Sequence, residues 1–290
     1  MPMPDAINKG YLLENFRLFH LRDRRAQKMA PHYHEFDKIV VLYAGAVDYT
    51  VEGVSYRMQP GDVLFVRHHD IHRPEISPES DYERIVLWIT PEYLERCSVD
   101  GAWLESCFDL ASQRRSCLFR PGAEKLARLR RMLSGRESAL AEGDEFGSSI
   151  LVNSYFLQLM VELNRAVRRG GGEAARSVDP KIDEALYYIN THLGEPLTVD
   201  ALAGMCYLSR FYFMRRFKDA TGYTVHNYIQ QKRLAAAAER LEAGAGVTEA
   251  AMEFGFAEYT SFLRAFRKAY GVTPSDYLRK KKRMESEYQE

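Results

Sequence analysis

The sequence predicts a multidomain α+β chain: an N-terminal antiparallel β domain with helices after it, and an all-α C-terminal domain. Three observations predict this. Apolar residues alternate with polar ones up to residue 89, broken by turn signals about every 8–12 residues. Helical periodicity replaces that pattern from 121 to 169, and an internal repeat fills the chain after residue 179. A chain of 290 residues with 46% hydrophobic and 28% charged residues has the length of one large or two ordinary domains and an ordinary globular composition. Lys plus Arg and Asp plus Glu number 40 each, so the net charge is zero and any argument for nucleic acid must rest on local placement. No run approaches the roughly 18 apolar residues of a membrane span. Residues 1–10 lack a basic start followed by an apolar core. The four cysteines form no C-x-x-C pair. A cytoplasmic protein with reduced thiols and no membrane partner is expected.

The β elements can be placed in order. Residues 38–43 are an apolar strand closed by Gly45, and Val47, Tyr49 and Val51 then alternate with Asp48 and Thr50 up to the turn pair Glu52-Gly53. Val54, Tyr56 and Met58 alternate up to Pro60-Gly61, residues 63–66 form a continuous apolar run, and 82–89 resume the pattern. Short strands with such turns predict an antiparallel sandwich or small barrel. In the helical zone Leu126, Leu129 and Leu133 share one face of a first helix. A second helix, with Ile150, Leu151, Tyr155, Leu157, Leu159, Val161 and Leu163, is apolar on more than one face. Two readings stand for it, packing on the β domain or contact with a second copy. Gly170-Gly171-Gly172 and the small, polar residues after it read as a linker. Asp179-Pro180 restarts structure as N-cap and first helical residue. The expected divisions are 15–120, 121–169, 170–178 and 179–284.

Sliding residues 199–232 by 49 positions aligns Asp200 with Glu249, Ala201 with Ala250, Phe213 with Phe262, Arg215 with Arg264, Phe217 with Phe266, Gly222 with Gly271 and Tyr228 with Tyr277. Each copy reads helix, short turn, helix. Thr198 caps 199–205, the chain turns through 206–208, Ser209 caps 210–220 and Gly222 stops it. In the second copy, 248–253 and 258–269 flank a turn where Gly255 supplies positive φ. This is a helix-turn-helix, whose second helix can enter the major groove. With Phe213, Phe217, Phe262 and Phe266 turned to the core, Arg210, Met214, Arg215 and Lys218 point elsewhere, as do Thr260, Leu263, Arg264 and Arg267. Arginines there can bond guanine edges, and the other cations can reach phosphate. The run 279–283 is a further phosphate candidate or a solvated tail.

Residues 182–277 resemble the DNA-binding domain of the AraC family of bacterial transcription regulators. The resemblance rests on Leu202-Ala203, Ser209, Phe217-Lys218, Gly222 and Tyr228, then on Ala250, Gly255-Phe256, Ser261-Phe262, Phe266, Arg267-Lys268, Gly271 and Thr273-Pro274-Ser275. It implies that both second helices enter successive major-groove segments of double-stranded DNA. It also implies that Phe211, Met214 and Arg215, then Tyr259, Thr260, Leu263 and Arg264, face the bases.

The run Pro31-His32-Tyr33-His34-Glu35-Phe36, with Pro60-Gly61-Asp62 and His72 downstream, resembles the cupin barrel found in many regulators of that family, over about residues 15–90. This makes 15–120 a cupin-like ligand-sensing domain, 121–169 a packing or dimerisation segment, and 179–284 the DNA-binding domain. His32 and His34 lie two residues apart and point the same way. With His72 they form a set that Zn, Fe, Ni or Cu accepts. Lys38 stands where cupin enzymes carry a carboxylate, and an ammonium repels a metal, while Glu35 and Asp37 have the wrong strand parity to replace it. The residues therefore favour a polar or anionic small molecule over a metal. His32, His34, Lys38 and His72 would supply hydrogen bonds and charge. Tyr49 and Trp88, among the aromatics Tyr43, Tyr49, Tyr56 and Trp88, would supply a face for a sugar. His68 and His69 read as surface loop residues. No nucleophile elbow, P-loop or zinc-hydrolase signature is present.

The expected protein is a ligand-responsive, sequence-specific DNA-binding regulator, an activator of carbohydrate-related genes. It is not an enzyme and has no cofactor. A homodimer, a sugar-like effector and RNA polymerase are the expected partners. The alternatives are a metal-binding cupin enzyme fused to a DNA-binding domain, and a DNA-binding protein with no small-molecule ligand.

Overall fold

The computed structural model describes residues 12, 15–23, 29–76, 81–141, 143, 145–169 and 176–287, with side chains described as far as residue 281. The chain divides into two compact units, Met1–Ser177 and Val178–Glu290.

The first unit is built on two antiparallel sheets. One has the order β1 (Phe16–Asp23), β7 (Tyr82–Ile89), β2 (Asp37–Ala44), β5 (Val63–Val66), β8 (Leu118–Phe119). The other runs β6 (His72–Ile76), β3 (Val47–Val51), β4 (Val54–Met58), β9 (Arg176–Ser177). Strands β3, β4, β5 and β7 have the bounds that the alternation predicts. Glu52 and Gly53, at φ 47° and 77°, make the two-residue turn of the β3–β4 hairpin. Strand parity then sorts the five-stranded sheet. Ile39, Val41, Val63, Phe65, Ile85, Leu87 and Ile89 face outward. There they join one core with residues of α1 (Pro91–Cys97), α2 (Ser106–Gln113), α3 (Ala123–Ala141) and α4 (Ser148–Arg168). Lys38, Val40, Leu42, Val86 and Trp88 have the opposite parity, and all are buried between the sheets. Burial on both faces is why β2 and β5 read as unbroken apolar runs.

The helical zone belongs to this unit. Leu129 and Leu133 of α3 and Phe156, Leu159, Met160 and Leu163 of α4 are buried against the sheet, while Ile150 and Leu151 stay exposed. Gly135 lets the two helices close, since a Cβ there would lie 2.5 Å from the Tyr155 ring. Helices α1 and α2 and strand β8 lie in 90–120, where the sequence reading places no element; none is long enough to display a period. Arg120, just after β8, puts Nε and Nη2 each 2.7 Å from the buried carboxylate of Asp62. Of the expected linker, residues 170–175 lie outside the described residues. Arg176 and Ser177 are a correction: they pair with Tyr56 and Ser55 at the edge of the second sheet, so the backbone there is held by ladder bonds.

The second unit holds seven helices among the described residues: α5 (Pro180–Thr191), α6 (Val199–Met205), α7 (Arg210–Thr221), α8 (Val225–Glu242), α9 (Val247–Glu253), α10 (Tyr259–Tyr270) and α11 (Pro274–Glu287). Asp179 and Thr198 accept capping bonds from the amides of Lys181 and Ala201, as the sequence predicts, and Gly222 and Gly271 end α7 and α10 at φ 82° and 75°. The repeat is physical. Phe217 meets Tyr228 edge-on with centroids 5.4 Å apart, and Phe266 meets Tyr277 edge-on at 5.6 Å. Phe213 and Phe262 complete the two copies of this cluster, both fully buried.

One alignment detail is corrected. The second helices are offset by 49 residues, but α6 and α9 start 48 apart, so Leu202-Ala203 match Ala250-Ala251 as the buried pairs. The pairings Asp200–Glu249 and Ala201–Ala250 are therefore one residue out. The extra residue of the second copy lies in the turn after Gly255.

Candidate effector site and nucleic-acid interface

Burial brings His32, His34, Lys38, Tyr49, His72 and Trp88 together inside the first unit. His32 and His72 share a two-bond bridge, with each amide donating to the other's carbonyl at 3.1 and 2.9 Å. The three imidazole centroids lie 5.2, 4.5 and 4.5 Å apart. Lys38 is opposite Trp88 in the β2–β7 register, which sets both side chains on the inner face. Its Nζ donates to His72 Nε2 at 3.4 Å and sits 5.6 Å from the Tyr49 ring centroid. His34 stacks on Phe36 at 4.3 Å.

Tautomers are set from outside the cluster. Nδ1 of His72 faces the carbonyl of Asp70 at 2.9 Å, and Nδ1 of His32 faces that of Ala30 at 2.9 Å. In the neutral rings both Nδ1 atoms therefore carry hydrogen, which leaves Nε2 as lone-pair donors. Within this cluster two buried polar atoms, His34 Nδ1 and Trp88 Nε1, have no hydrogen-bond partner among the described residues. A protein interior rarely leaves such atoms unsatisfied, and a polar ligand would satisfy them.

The electrostatics follow from burial. Desolvation, then the charge of Lys38, lowers all three imidazoles below 6.5, His34 and His72 strongly. Desolvation, with the nearby Arg84 cation as a second cause, brings Lys38 down to about 7. Among the described residues no carboxylate offsets it. Asp37 accepts from His68, at the amide and at Nδ1, and Glu35 from His69 Nε2, each at 2.8 Å. This fits the parity argument and corrects the reading of His68 and His69 as loop surface: both are largely buried and paired with carboxylates.

The imidazole nitrogens lie within 4.8 Å of one another, close enough to share an ion. The donor set does not fit one. The lone pair that His72 would give a metal is directed at Lys38 Nζ, and the carboxylates of Asp37 and Glu35 are turned to His68 and His69. The arrangement suits a small polar or anionic molecule.

In the second unit, α7 and α10 present the expected residues outward. Arg210, Phe211, Met214, Arg215 and Lys218 are exposed on α7; Tyr259, Thr260, Arg264 and Arg267 are exposed on α10, with Leu263 half-buried. Arg210 is already engaged, by Asp200 at 2.7 Å, and Arg215 lies 4.0 Å from Asp219. In the basic run, Lys281 pairs with Glu242 and Arg279 with Asp276, while the side chains of Lys282 and Arg283 lie outside the described residues.

Tyr207 escapes the sequence reading. It occupies the place of Gly255 in the first turn, at φ 53° against 72°, and is 90% exposed. The 48-residue offset reveals the match; the 49-residue offset hides it. Arg233 is a second omission. From α8 it donates to the carbonyls of Leu193, Glu195 and Gly255 at 2.8, 2.6 and 2.9 Å, tying the loop before the first copy to the turn of the second. No local sequence pattern marks that role.

Two family models match the chain, an AraC-like ligand binding domain over residues 16–189 and a helix-turn-helix domain over 202–280. The first covers more than half of it. The chain belongs to the AraC family of transcription regulators. Similar curated proteins include the HTH-type transcriptional activator RhaR of Pectobacterium atrosepticum, 26% identical over 275 residues, which are 93% of either chain. The transcriptional activator RhaS of Salmonella arizonae is 28% identical over 252 residues, 84% of this chain and 86% of that protein. The regulator thus joins a ligand-binding domain to a DNA-binding one, and these matches indicate no enzyme family. Among the described residues no helix is long and apolar enough to cross a membrane.

Two outcomes are expected. Between its folded value of about 7 and its ordinary 10.5, Lys38 binds its proton in the unfolded chain and not in the folded one. Stability therefore rises with pH across that window, and the whole penalty is present below 7. The imidazoles add a further loss as pH falls through 6.5. Lys38→Met should stabilise the protein at pH 7 by about 1–3 kcal/mol and flatten the rise, as read by denaturant unfolding at several pH values. Tyr207→Gly should stabilise by about 1 kcal/mol, since a non-glycine residue is strained at that φ; loss of stability would contradict it.

Proposed function

We propose that this regulator is an effector-controlled activator that binds double-stranded DNA as a homodimer in the cytoplasm and acts through RNA polymerase. One observation carries the DNA reading: α7 and α10, built on duplicated aromatic cores, hold Arg215 and Arg264 at equivalent exposed positions. On this reading the two helices enter successive major-groove segments. Phe211, Met214 and Arg215 face the bases from α7, with Tyr207 beside them, and Tyr259, Thr260, Leu263 and Arg264 face them from α10. Lys218, Arg267 and Arg210 serve phosphates, Arg210 after leaving Asp200. The two halves differ in chemistry. Phe211 at 82% exposure and Met214 at 38% suit thymine methyl groups, whereas Arg264 suits guanine.

The effector is a small polar molecule of the sugar class, held by His32, His34, Lys38 and His72 against Tyr49 and Trp88. The unpartnered His34 Nδ1 and Trp88 Nε1 support this. Activation is proposed because the curated relatives are named as activators. The ligand works only by binding one arrangement of the regulator better than another.

The test is selection of a DNA site followed by binding measurements on variants. Arg215→Ala and Arg264→Ala should each cost about 1–3 kcal/mol and relax specificity at separate positions of the site. Uniform loss over all sequences would make them phosphate contacts. His34→Ala should bind DNA as before and lose its response to effector; an intact response would remove the effector assignment.

A further inference from the structure

Among the described residues Lys38 has one side-chain hydrogen-bond partner, and that partner is a base. Its Nζ is buried 3.4 Å from His72 Nε2, over the Tyr49 ring, with no carboxylate in contact among the described residues. A lysine kept only for charge recognition would be expected beside a counter-ion or in water, because an unpaired buried ammonium is costly. A lysine kept as an amine needs what is found here, burial without a counter-ion among the described residues, an aromatic ring beside it and an adjacent proton acceptor of fixed tautomer. Around it, Trp88 Nε1 and His34 Nδ1 lack partners, and Trp88 stands directly across from Lys38 in the strand register. His32, half-buried, gives the cluster its solvent-facing side.

We propose that Lys38 captures the carbonyl carbon of its effector as an imine, so that the effector class is a small aldehyde or an open-chain sugar. This deepens the effector reading above and rests on it. The Nζ lone pair forms a bond to the carbonyl carbon while the C=O π pair moves to oxygen. Nζ passes a proton to His72 Nε2, which delivers it to the alkoxide, and the resulting hydroxyl oxygen accepts a hydrogen bond from Trp88 Nε1. His72 Nε2 then takes the second Nζ proton and hands it to that hydroxyl, the C–O bond breaks with release of water, and the C=N bond forms. One amine and one carbonyl give one imine and one water, with no oxidant or reductant, and hydrolysis reverses the step. The carbonyl of Asp70, accepting from His72 Nδ1, stabilises the ring while it holds the proton. The lowered proton affinity of Lys38 leaves much of it as free amine near neutrality.

The experiment incubates the full chain at pH 7 with glyceraldehyde and sodium cyanoborohydride, then maps modified lysines by peptide mass spectrometry. Lys38 should gain the mass of the aldehyde less one oxygen, about tenfold or more faster than the other lysines, whose ordinary pKa keeps them protonated. His72→Gln, which keeps a polar group but cannot hold the proton, should slow labelling of Lys38 and leave the other lysines unchanged. Glycerol, the same chain without a carbonyl, should not compete. Suppose instead that Lys38 labels no faster than the rest, while glyceraldehyde and glycerol raise the melting temperature equally in the wild type and not in His34→Ala. The imine is then overturned and the non-covalent effector site stands. Absence of both labelling and shift overturns the imine together with the effector site.

Discussion

An ammonium group cannot enter an apolar interior without a partner, and in this regulator the partner is not an anion. That constraint organises the first unit. Strand β2 must be buried on both faces to close the two sheets, and its register puts Lys38 on the inner one. Once there, the lysine shares a small volume with three imidazoles, and burial disfavours every positive charge in it. The cluster is basic in composition and close to neutral in charge. Its lone pairs are directed by carbonyls of Ala30 and Asp70 from outside, so the polar groups are oriented before any ligand arrives.

The second unit solves a different problem. Two helix-turn-helix copies need the same recognition geometry, and each obtains it from an aromatic pair on the second helix locked by a tyrosine from the next. Tyr228 reaches Asn190 and Tyr277 reaches Glu242 through their hydroxyls, so each lock is anchored by hydrogen bonding as well as by packing. Arg233 then joins the turn of the second copy to the loop before the first. The copies differ where they meet solvent: beside their equivalent arginines, the first exposes Tyr207, Phe211 and Met214, and the second Tyr259 and Thr260. A duplicated scaffold with unlike surfaces can read two unlike half-sites.

The sequence makes much of this visible, and the reasons are local. Strands β3, β4, β5 and β7 are legible because alternation and turn residues coincide. The repeat is legible because aromatic cores and terminal glycines recur at constant spacing. Lys38 is legible as an odd residue in a metal-like pattern, and its parity already separates it from Glu35 and Asp37. What stays hidden depends on contacts between distant segments. His68 and His69 look like loop surface until Asp37 and Glu35 are seen to hold them. Tyr207 is obscured by a single extra residue in the second turn, which shifts the alignment just where the two copies differ. Arg233 bonds to carbonyls, which carry no side-chain signature at all.

The claim on which the proposed effector site depends is that Lys38 is a desolvated amine, bonded to His72 and without a counter-ion among the described residues. Nitrogen-15 NMR of the lysine side chains, with Lys38 assigned by comparison with Lys38→Arg, measures this directly. The account predicts one lysine titrating with a midpoint of about 7, apart from all others. A Lys38 resonance titrating with the bulk near 10.5 would mean a solvated or anion-paired side chain, and the site as described would not exist.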